Sequence, residues 1–359
     1  MSLHFHPLQV AGIRKETSDC VSIAFSIPEE LTDTFRYKQG QYVTLRTSIN
    51  GEDIRRSYSI CSSPLDNELR VAVKKVEHGV FSTYANETLK KGDTLDVMPP
   101  LGKFFTELNP SQEKKYAGFA AGSGITPLLS IIKTTLRTET KSSFTLVYGN
   151  RNRHSIIFKE ELEALKNLYM DRFRVIHILS REKTDAPINF GRIDKNKCLT
   201  LCEKTIDVKN TDAFFLCGPE EMIFSVKETL VEKGVDPKKI HFELFTTPGS
   251  KQTATATSHT SSGNEVKSKV TIKLDGIAFD FDLGFESESI LDAALKNGAD
   301  LPYACKGGVC CTCRAKLLEG EVDMDVNYGL EPDEIEQGFI LTCQAHPRTE
   351  KVVVDFDTK

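Results

Sequence analysis

Residues 116–136 read YAGFAAGSGITPLLSIIKTTL, and the turn in the middle of that stretch decides how the centre of the chain folds. YAGFAA (116–121) is an apolar run of strand length, and an apolar stripe at helical spacing follows at Leu128, Leu129, Ile131, Ile132 and Leu136. Between them stands Gly122-Ser123-Gly124-Ile125-Thr126-Pro127, where glycines admit close backbone approach and Pro127 suits a first helical turn. The alternation continues. FTLVYG (144–149), FRVIHILS (173–180) and AFFLCG (213–218) read as buried strands, KEELEALKNL (159–168) and EEMIFSVKETLVEKG (220–234) as amphipathic helices. Strands alternating with helices predict an α/β domain with a doubly wound parallel sheet over residues 107–245.

Upstream the period changes. VSIAFSI (21–27), QYVTLRT (41–47) and ELRVAVKKV (68–76) are short β-rich runs separated by turns, which favours an antiparallel β-barrel or sandwich over residues 1–106. Met98-Pro99-Pro100-Leu101-Gly102 marks the crossing into the next domain. Downstream, residues 246–264 (TTPGSKQTATATSHTSSGN) hold no large apolar side chain. Such a segment cannot offset its own ordering by burial, so a flexible linker with a random-coil span of roughly 25 Å is expected. A third domain then occupies 265–359.

The 359 residues are 39% hydrophobic and 27% charged, enough for buried cores and against a disordered chain. A formal net charge of −5 argues against a nucleic-acid binder. The longest uncharged run, Tyr116 to Ile132, is seventeen residues broken by glycines and a proline, too short to span a bilayer. No basic segment precedes an apolar one at the N-terminus, so no export is expected and the cytoplasm is the expected compartment. Charge is uneven: residues from Glu265 onward carry 19 acids and 10 bases, a net of −9, leaving +4 for the rest. A basic docking face on a partner is one reading of that excess. A plain solvated face at Asp323, Asp325, Glu331, Asp333, Glu334 and Glu336 is the other.

Five of the ten cysteines (Cys305, Cys310, Cys311, Cys313, Cys343) crowd the last 55 residues, whereas Cys20, Cys61, Cys198, Cys202 and Cys217 are scattered and expected to be mostly buried. Cys305-x4-Cys310-x2-Cys313 followed at a distance by Cys343 is the plant-type [2Fe–2S] spacing. Three thiolates on one loop and a fourth from afar can surround two irons, and Gly307 and Gly308 let backbone N–H groups approach the sulfurs. Cys311 falls outside the spacing. A four-cysteine zinc site is the competing reading, though such sites usually show paired C-x2-C knuckles and one short knuckle is present. The segment resembles plant-type ferredoxin domains through Leu301-Pro302-Tyr303-Ala304-Cys305, the following loop and Leu341-Thr342-Cys343.

Two further constellations stand upstream. In Arg56-Ser57-Tyr58-Ser59 an aromatic can stack on a flavin ring, Ser59 can hydrogen-bond near its N5 and Arg56 can neutralise a phosphate. Val73-Lys74-Lys75, then His78-Gly79-Val80-Phe81-Ser82, lead into a helix expected at Ser82, whose free N–H groups would cradle a pyrophosphate. The Gly122 turn departs from G-x-G-x-x-G by Pro127 in the third place, and Cys217-Gly218-Pro219 with Met222 ends a later strand. Ser180-Arg181, with Lys183 nearby, closes FRVIHILS and suits a 2′-phosphate, so NADPH is expected over NADH; the turn at Tyr148-Gly149-Asn150-Arg151 is a further candidate contact.

In this order the segments resemble the ferredoxin–NADP reductase superfamily, and with the C-terminal ferredoxin domain they are similar to reductase components of bacterial oxygenase systems. The resemblance implies a multidomain fold: an antiparallel β-barrel flavin domain, an α/β parallel-sheet nucleotide domain and an α+β ferredoxin-like [2Fe–2S] domain. It implies FAD rather than FMN, held by Arg56, Ser57, Tyr58, Ser59, Val73, Lys74, Gly79, Val80, Phe81 and Ser82. It places NADPH against Gly122, Ser123, Gly124, Thr126, Pro127, Ser180, Arg181, Cys217, Gly218, Pro219 and Met222. Ser59 and Cys217 are the catalytic candidates, with Cys217 beside the nicotinamide, and Cys305, Cys310, Cys313 and Cys343 the metal ligands. The implied acceptor is an oxygenase component, of the di-iron type; a stand-alone reductase of other acceptors is the alternative.

Overall fold

The computed structural model describes residues 4–245 and 267–358. The expected linker, 246–264, lies outside the described residues. The chain divides into two compact units: one comprises residues 5–54 and 58–245, the other the described residues from 267 onward, grouped with His4 and Arg55–Ser57.

The first unit opens with strands β1 (His6–Thr17), β2 (Cys20–Ser26), β3 (Tyr42–Ile49), β4 (Glu52–Ser59) and β5 (Leu69–Lys74), then helix α1 (Val80–Glu87) and strand β6 (Thr94–Val97). They form one sheet in the order β4-β3-β6-β1-β2-β5. Alternation sets the faces: Leu8 and Val10 of β1 are buried while Gln9 between them is exposed. A bridge between Ile60 and Val71 joins the chain just past β4 to β5, so the two edge strands meet and the sheet closes towards a barrel.

The parallel part follows as β7 (Lys115–Ala121), α2 (Ile125–Thr138), β8 (Ser143–Asn150), α3 (Lys159–Leu168), β9 (Phe173–Leu179), α4 (Lys195–Lys204), β10 (Ala213–Gly218), α5 (Glu220–Glu232) and β11 (Ile240–Leu244). The strands are all parallel in the order β11-β10-β7-β8-β9. The expected strands and helices are present. Helix α4 and strands β1, β4, β6 and β11 were not foreseen from the sequence.

Helix α2 is buried well beyond its apolar stripe, since twelve of its fourteen residues are covered. Its polar side meets the loop after β4. Ser130 Oγ donates to the Ser62 carbonyl at 2.6 Å, Ser63 and Thr134 share a hydroxyl hydrogen bond of 2.9 Å, and Lys133 pairs with Asp66 at 2.6 Å and Glu161 at 2.7 Å. A buried ammonium is tolerated where carboxylates surround it. One apolar core runs through both sheets, with Cys20, Cys61 and Ala72 of the barrel joined to Leu128, Tyr148 and Phe215. The expected boundary near residue 106 therefore separates two sheets but not two compact units.

In the second unit, β12 (Lys267–Leu274) and β13 (Ile277–Gly284) form a hairpin across Asp275-Gly276, both at positive φ as a two-residue turn demands. Helix α6 (Ile290–Lys296) and strands β14 (Arg314–Glu319) and β15 (Val322–Met324) follow, then helix α7 (Pro332–Glu336) and strands β16 (Phe339–Leu341), β17 (Ala345–Pro347) and β18 (Lys351–Asp355). The main sheet runs β13-β12-β18-β14-β16, with β12 and β18 parallel. Val270, Ile272, Ile290, Leu291, Leu341 and Val352 fill its core.

Candidate active site and iron–sulfur centre

Strand β7 lies between β8 and β10, so the connections leaving β7 and β10 diverge and open a crevice beyond their C-terminal ends, the usual ligand position in such sheets. The two turns there are held backbone to backbone by glycine. A Cβ on Gly124 would stand 2.1 Å from the Cys217 carbonyl oxygen, and one on Gly218 would stand 2.8 Å from Met222 Cε. The close approach at Gly124 is thus to the chain's own second turn. Thr126 and Pro127 are buried, and Thr126 Oγ1 donates to the Ser123 carbonyl at 3.0 Å, so they shape the turn from within. Tyr148 is fully buried and its hydroxyl donates to the Gly122 carbonyl at 2.9 Å. This corrects its reading as a nucleotide-facing turn residue: it sits in β8 and props the glycine turn from beneath.

Three elements bring the candidate catalytic groups together. Parallel register sets Cys217 of β10 opposite Glu243 of β11. Ser59, at the end of β4, donates its hydroxyl to Glu243 Oε2 at 2.9 Å. Burial pushes the Cys217 thiol well above its ordinary range, and the Glu243 charge adds to that. Burial also raises the Glu243 carboxyl to about 7, against the pull of the Ser59 hydrogen bond. Glu243 was missed from the sequence. The available signal was a carboxylate flanked by Phe242 and Leu244 in the short run IHFEL (240–244). A serine hydroxyl, a thiol and a carboxyl of raised pKa can position and polarise a ring carbon and exchange a proton near neutrality.

On the barrel side, the Tyr58 ring lies 5.5 Å from that of Phe81. Helix α1 begins at Val80, two residues before the expected Ser82, with Gly79 as its N-cap. A Cβ on Gly79 would fall 2.3 Å from Ser82 Oγ, which accepts from the Val76 N–H at 3.2 Å and donates to the Gly79 carbonyl at 3.2 Å. The tight turn leaves the first N–H groups of α1 without intrahelical partners. Lys74 pairs with Asp19 at 3.8 Å, and its ammonium lies 3.8 Å from where a Cβ on Gly122 would stand. Arg56 donates from Nη1 to the Arg55 carbonyl at 2.7 Å, and both Arg56 and Ser57 are half-buried. Val73 and Phe81 point into the barrel core at 0% and 1% exposure, so only their backbones are available to a ligand.

In the second unit the four ligand candidates gather from a loop and a distant strand end. Cys310 and Cys305 sulfurs stand 3.1 Å apart, and the Cys313 thiol hydrogen-bonds to Cys343. Among the described residues no three metal-binding side chains converge as they would for one ion; the thiols form two pairs, which suits a two-iron group. The Gly307 N–H reaches Cys305 Sγ at 3.3 Å and Gln344 Nε2 reaches Cys343 Sγ at 3.6 Å. Hydrogen bonds from Cys310 and backbone N–H groups hold the Cys305 thiol below its ordinary range, as that from Cys313 does for Cys343. Thiolate is the form that binds iron. Gly308 has φ +69° and a Cβ there would strike the Val326 carbonyl at 2.8 Å, so the loop closes only with glycine. Glu334 is a correction to the solvated acidic face: it is buried at 4% exposure and paired with Arg314.

Comparison with known proteins identifies the domains in which these residues lie. Residues 7–106 match an oxidoreductase FAD-binding domain, 119–228 an oxidoreductase NAD-binding domain and 272–348 a 2Fe-2S iron-sulfur cluster binding domain. The last match overturns the zinc alternative. The chain is 46% identical to a component of the 1,2-phenylacetyl-CoA epoxidase of Escherichia coli (strain K12), over 99% of this chain and 98% of that protein. It is 33% identical to the ferredoxin reductase component of 3-ketosteroid-9-alpha-monooxygenase from Rhodococcus rhodochrous, over 97% and 96%. Phthalate dioxygenase reductase shares the fold, with a TM-score of 0.61 at 23% identity over 98% of each chain. When bound, flavin takes an electron pair as hydride from the nicotinamide and passes single electrons on to the cluster. The chain belongs to the ferredoxin–NADP reductase superfamily, among the oxygenase reductase components that join FAD- and NAD-binding domains to a C-terminal plant-type [2Fe–2S] domain.

Proposed function

We propose that this reductase draws electrons from NADPH and delivers them to a di-iron oxygenase component that epoxidises phenylacetyl-CoA, in phenylacetate catabolism. The observation that carries the reading is 46% identity along almost the full length of a phenylacetyl-CoA epoxidase component. Ser59, Cys217 and Glu243 are the groups at the hydride-transfer position. Arg56 to Ser59, Lys74 and the Gly79–Ser82 turn hold FAD, and the Gly122 and Gly218 turns with Ser180 and Arg181 hold the nucleotide. Cys305 and Cys310 take one iron, Cys313 and Cys343 the other. The domains are taken as 1–106 for FAD, 107–245 for the nucleotide, 246–264 as linker and 265–359 for the cluster; each matched family lies inside one of them, at 7–106, 119–228 and 272–348. Among the described residues no disulfide joins any of the ten cysteines, in keeping with a reducing cytoplasm. No described helix is long and apolar enough to cross a membrane.

The test is reconstitution. Purified holoprotein, NADPH and a purified di-iron epoxidase component should convert phenylacetyl-CoA to its epoxide in an oxygen-dependent reaction. No product there, alongside efficient turnover with a steroid or betaine oxygenase, would move the chain to another acceptor.

A further inference from the structure

At the end of β9 the chain carries Ser180-Arg181-Glu182, so a carboxylate stands beside the arginine expected to meet a 2′-phosphate. An acidic side chain at this position would ordinarily accept the ribose 2′-hydroxyl and repel a phosphate. The structure gives Glu182 another occupation. Its Oε2 accepts the Arg153 backbone N–H at 2.8 Å and its Oε1 accepts Arg153 Nε at 2.5 Å. Arg153 is pre-set for this by the preceding residue: Asn152 Oδ1 accepts the His154 and Ser155 N–H groups at 3.0 and 3.1 Å, leaving the Arg153 N–H to face outward. Backbone pairing continues past both strands, with the Ser180 N–H on the Asn150 carbonyl at 2.9 Å and the Arg181 N–H on that of Arg151 at 2.8 Å. Arg151 and Arg181 are therefore neighbours on this edge. Both are exposed, as is Lys183, and among the described residues none of the three is in an ion pair.

We propose that Arg153 is a positioning residue for donor selectivity: by clamping both oxygens of Glu182 it silences that carboxylate and leaves Arg151 and Arg181 to receive the 2′-phosphate of NADPH. The inference deepens the NADPH reading and rests on it. With the clamp, the edge presents three unopposed cations. Without the guanidinium, Glu182 keeps only the Arg153 backbone N–H, and its uncompensated charge next to Arg181 would oppose a phosphate dianion at short range. Arg153 takes no part in hydride transfer, so its loss should act through KM.

The experiment compares wild type, Arg153→Ala, Arg153→Lys and the double variant Arg153→Ala/Glu182→Gln as holoenzymes. It measures kcat and KM for NADPH and NADH with ferricyanide as acceptor. Arg153→Ala is expected to lower the NADPH-to-NADH ratio of kcat/KM by about tenfold or more, equivalent to about 1.4 kcal/mol, through KM. The double variant should return that ratio to within about threefold of wild type, and Arg153→Lys should hold it there. Dissociation constants for 2′,5′-ADP, read from the flavin spectrum, should follow the same order without turnover. An unchanged ratio in Arg153→Ala overturns the inference. So does a double variant as poor as the single one, because Arg153 would then be touching phosphate directly. A wild type that prefers NADH refutes the donor reading instead, and the change of ratio among the variants still reads the clamp.

Discussion

The cluster loop and the hydride-transfer crevice do comparable work and are built in opposite ways. Three of the four cluster ligands lie within nine residues, Cys305 to Cys313, on a loop whose N–H groups turn inward to the sulfurs. The crevice takes Ser59 from the barrel and Cys217 and Glu243 from two strands of the parallel sheet, 184 residues separating Ser59 from the carboxyl it contacts. Metal ligands must converge within covalent reach, and a short loop is the simplest way to achieve that. A polar pocket needs only side chains delivered to one place, from any distance in sequence.

The comparison is broken most severely at the loop. Replacing Cys343 with Ser should abolish acid-labile sulfide and cluster absorption and reduce electron delivery to a one-electron protein acceptor by about a hundredfold or more. Anaerobic reduction of the flavin by NADPH should persist at near wild-type rate. Retained delivery would remove Cys343 from the ligand set. In the crevice the largest effect should come from Gly124→Ala, since the new methyl group would overlap the Cys217 carbonyl at 2.1 Å. A backbone shift of that kind costs about 1–3 kcal/mol or more, read as a lower denaturant midpoint with nucleotide binding impaired.

Glu243 sharpens the contrast through pH. Its folded pKa, about 7, stands above the ordinary 4.5, so between those values the folded state holds a proton that the unfolded chain releases. Stability should therefore fall as pH rises through that window and level off above it. Glu243→Gln should remove the slope and be more stable than wild type at pH 8 by roughly 1–3 kcal/mol, with little difference at pH 4. Equal midpoints at pH 8 would show that burial does not raise the carboxyl's folded pKa. Replacing Ser59 with Ala deletes the hydroxyl that Glu243 accepts and should slow flavin reduction about tenfold in stopped flow, with cluster content unchanged.

The smallest effect is expected from the acidic surface. Asp323 is tied to Arg348 and Asp325 to His346, while Glu334 is buried against Arg314. Asp333 and Glu336 remain exposed, and neither is in an ion pair among the described residues. Neutralising both should lower the association rate with the oxygenase by about twofold at low salt, with the difference vanishing at high salt.

Much of this was readable in advance, for reasons that differ by region. Periodicity exposed the parallel strands because β7, β8 and β10 are buried on both faces and read as apolar runs bounded by turns. The same logic failed for β11, five residues long with three of them half-buried, and Glu243 went unseen with it. Val73 and Phe81 lie in the segments that suit a flavin, yet strand alternation turns Val73 into the barrel core and Phe81 lies on the buried face of α1. Tyr148 was misplaced for the same reason. A segment can be legible while the face each residue presents is not.

Taken alone, the amino-acid sequence determined the fold class, the spacing of four candidate thiol ligands and the glycine turns, because spacing, period and backbone permissiveness are local properties of a chain. Only the tertiary structure decided which side chains face a ligand and which carboxyls keep an accessible charge. Burial raises Glu243, a clamp engages Glu182 and an arginine covers Glu334. The physical reason is that ionisation and electrostatic influence depend on surroundings delivered by residues far apart in sequence, which no local pattern records.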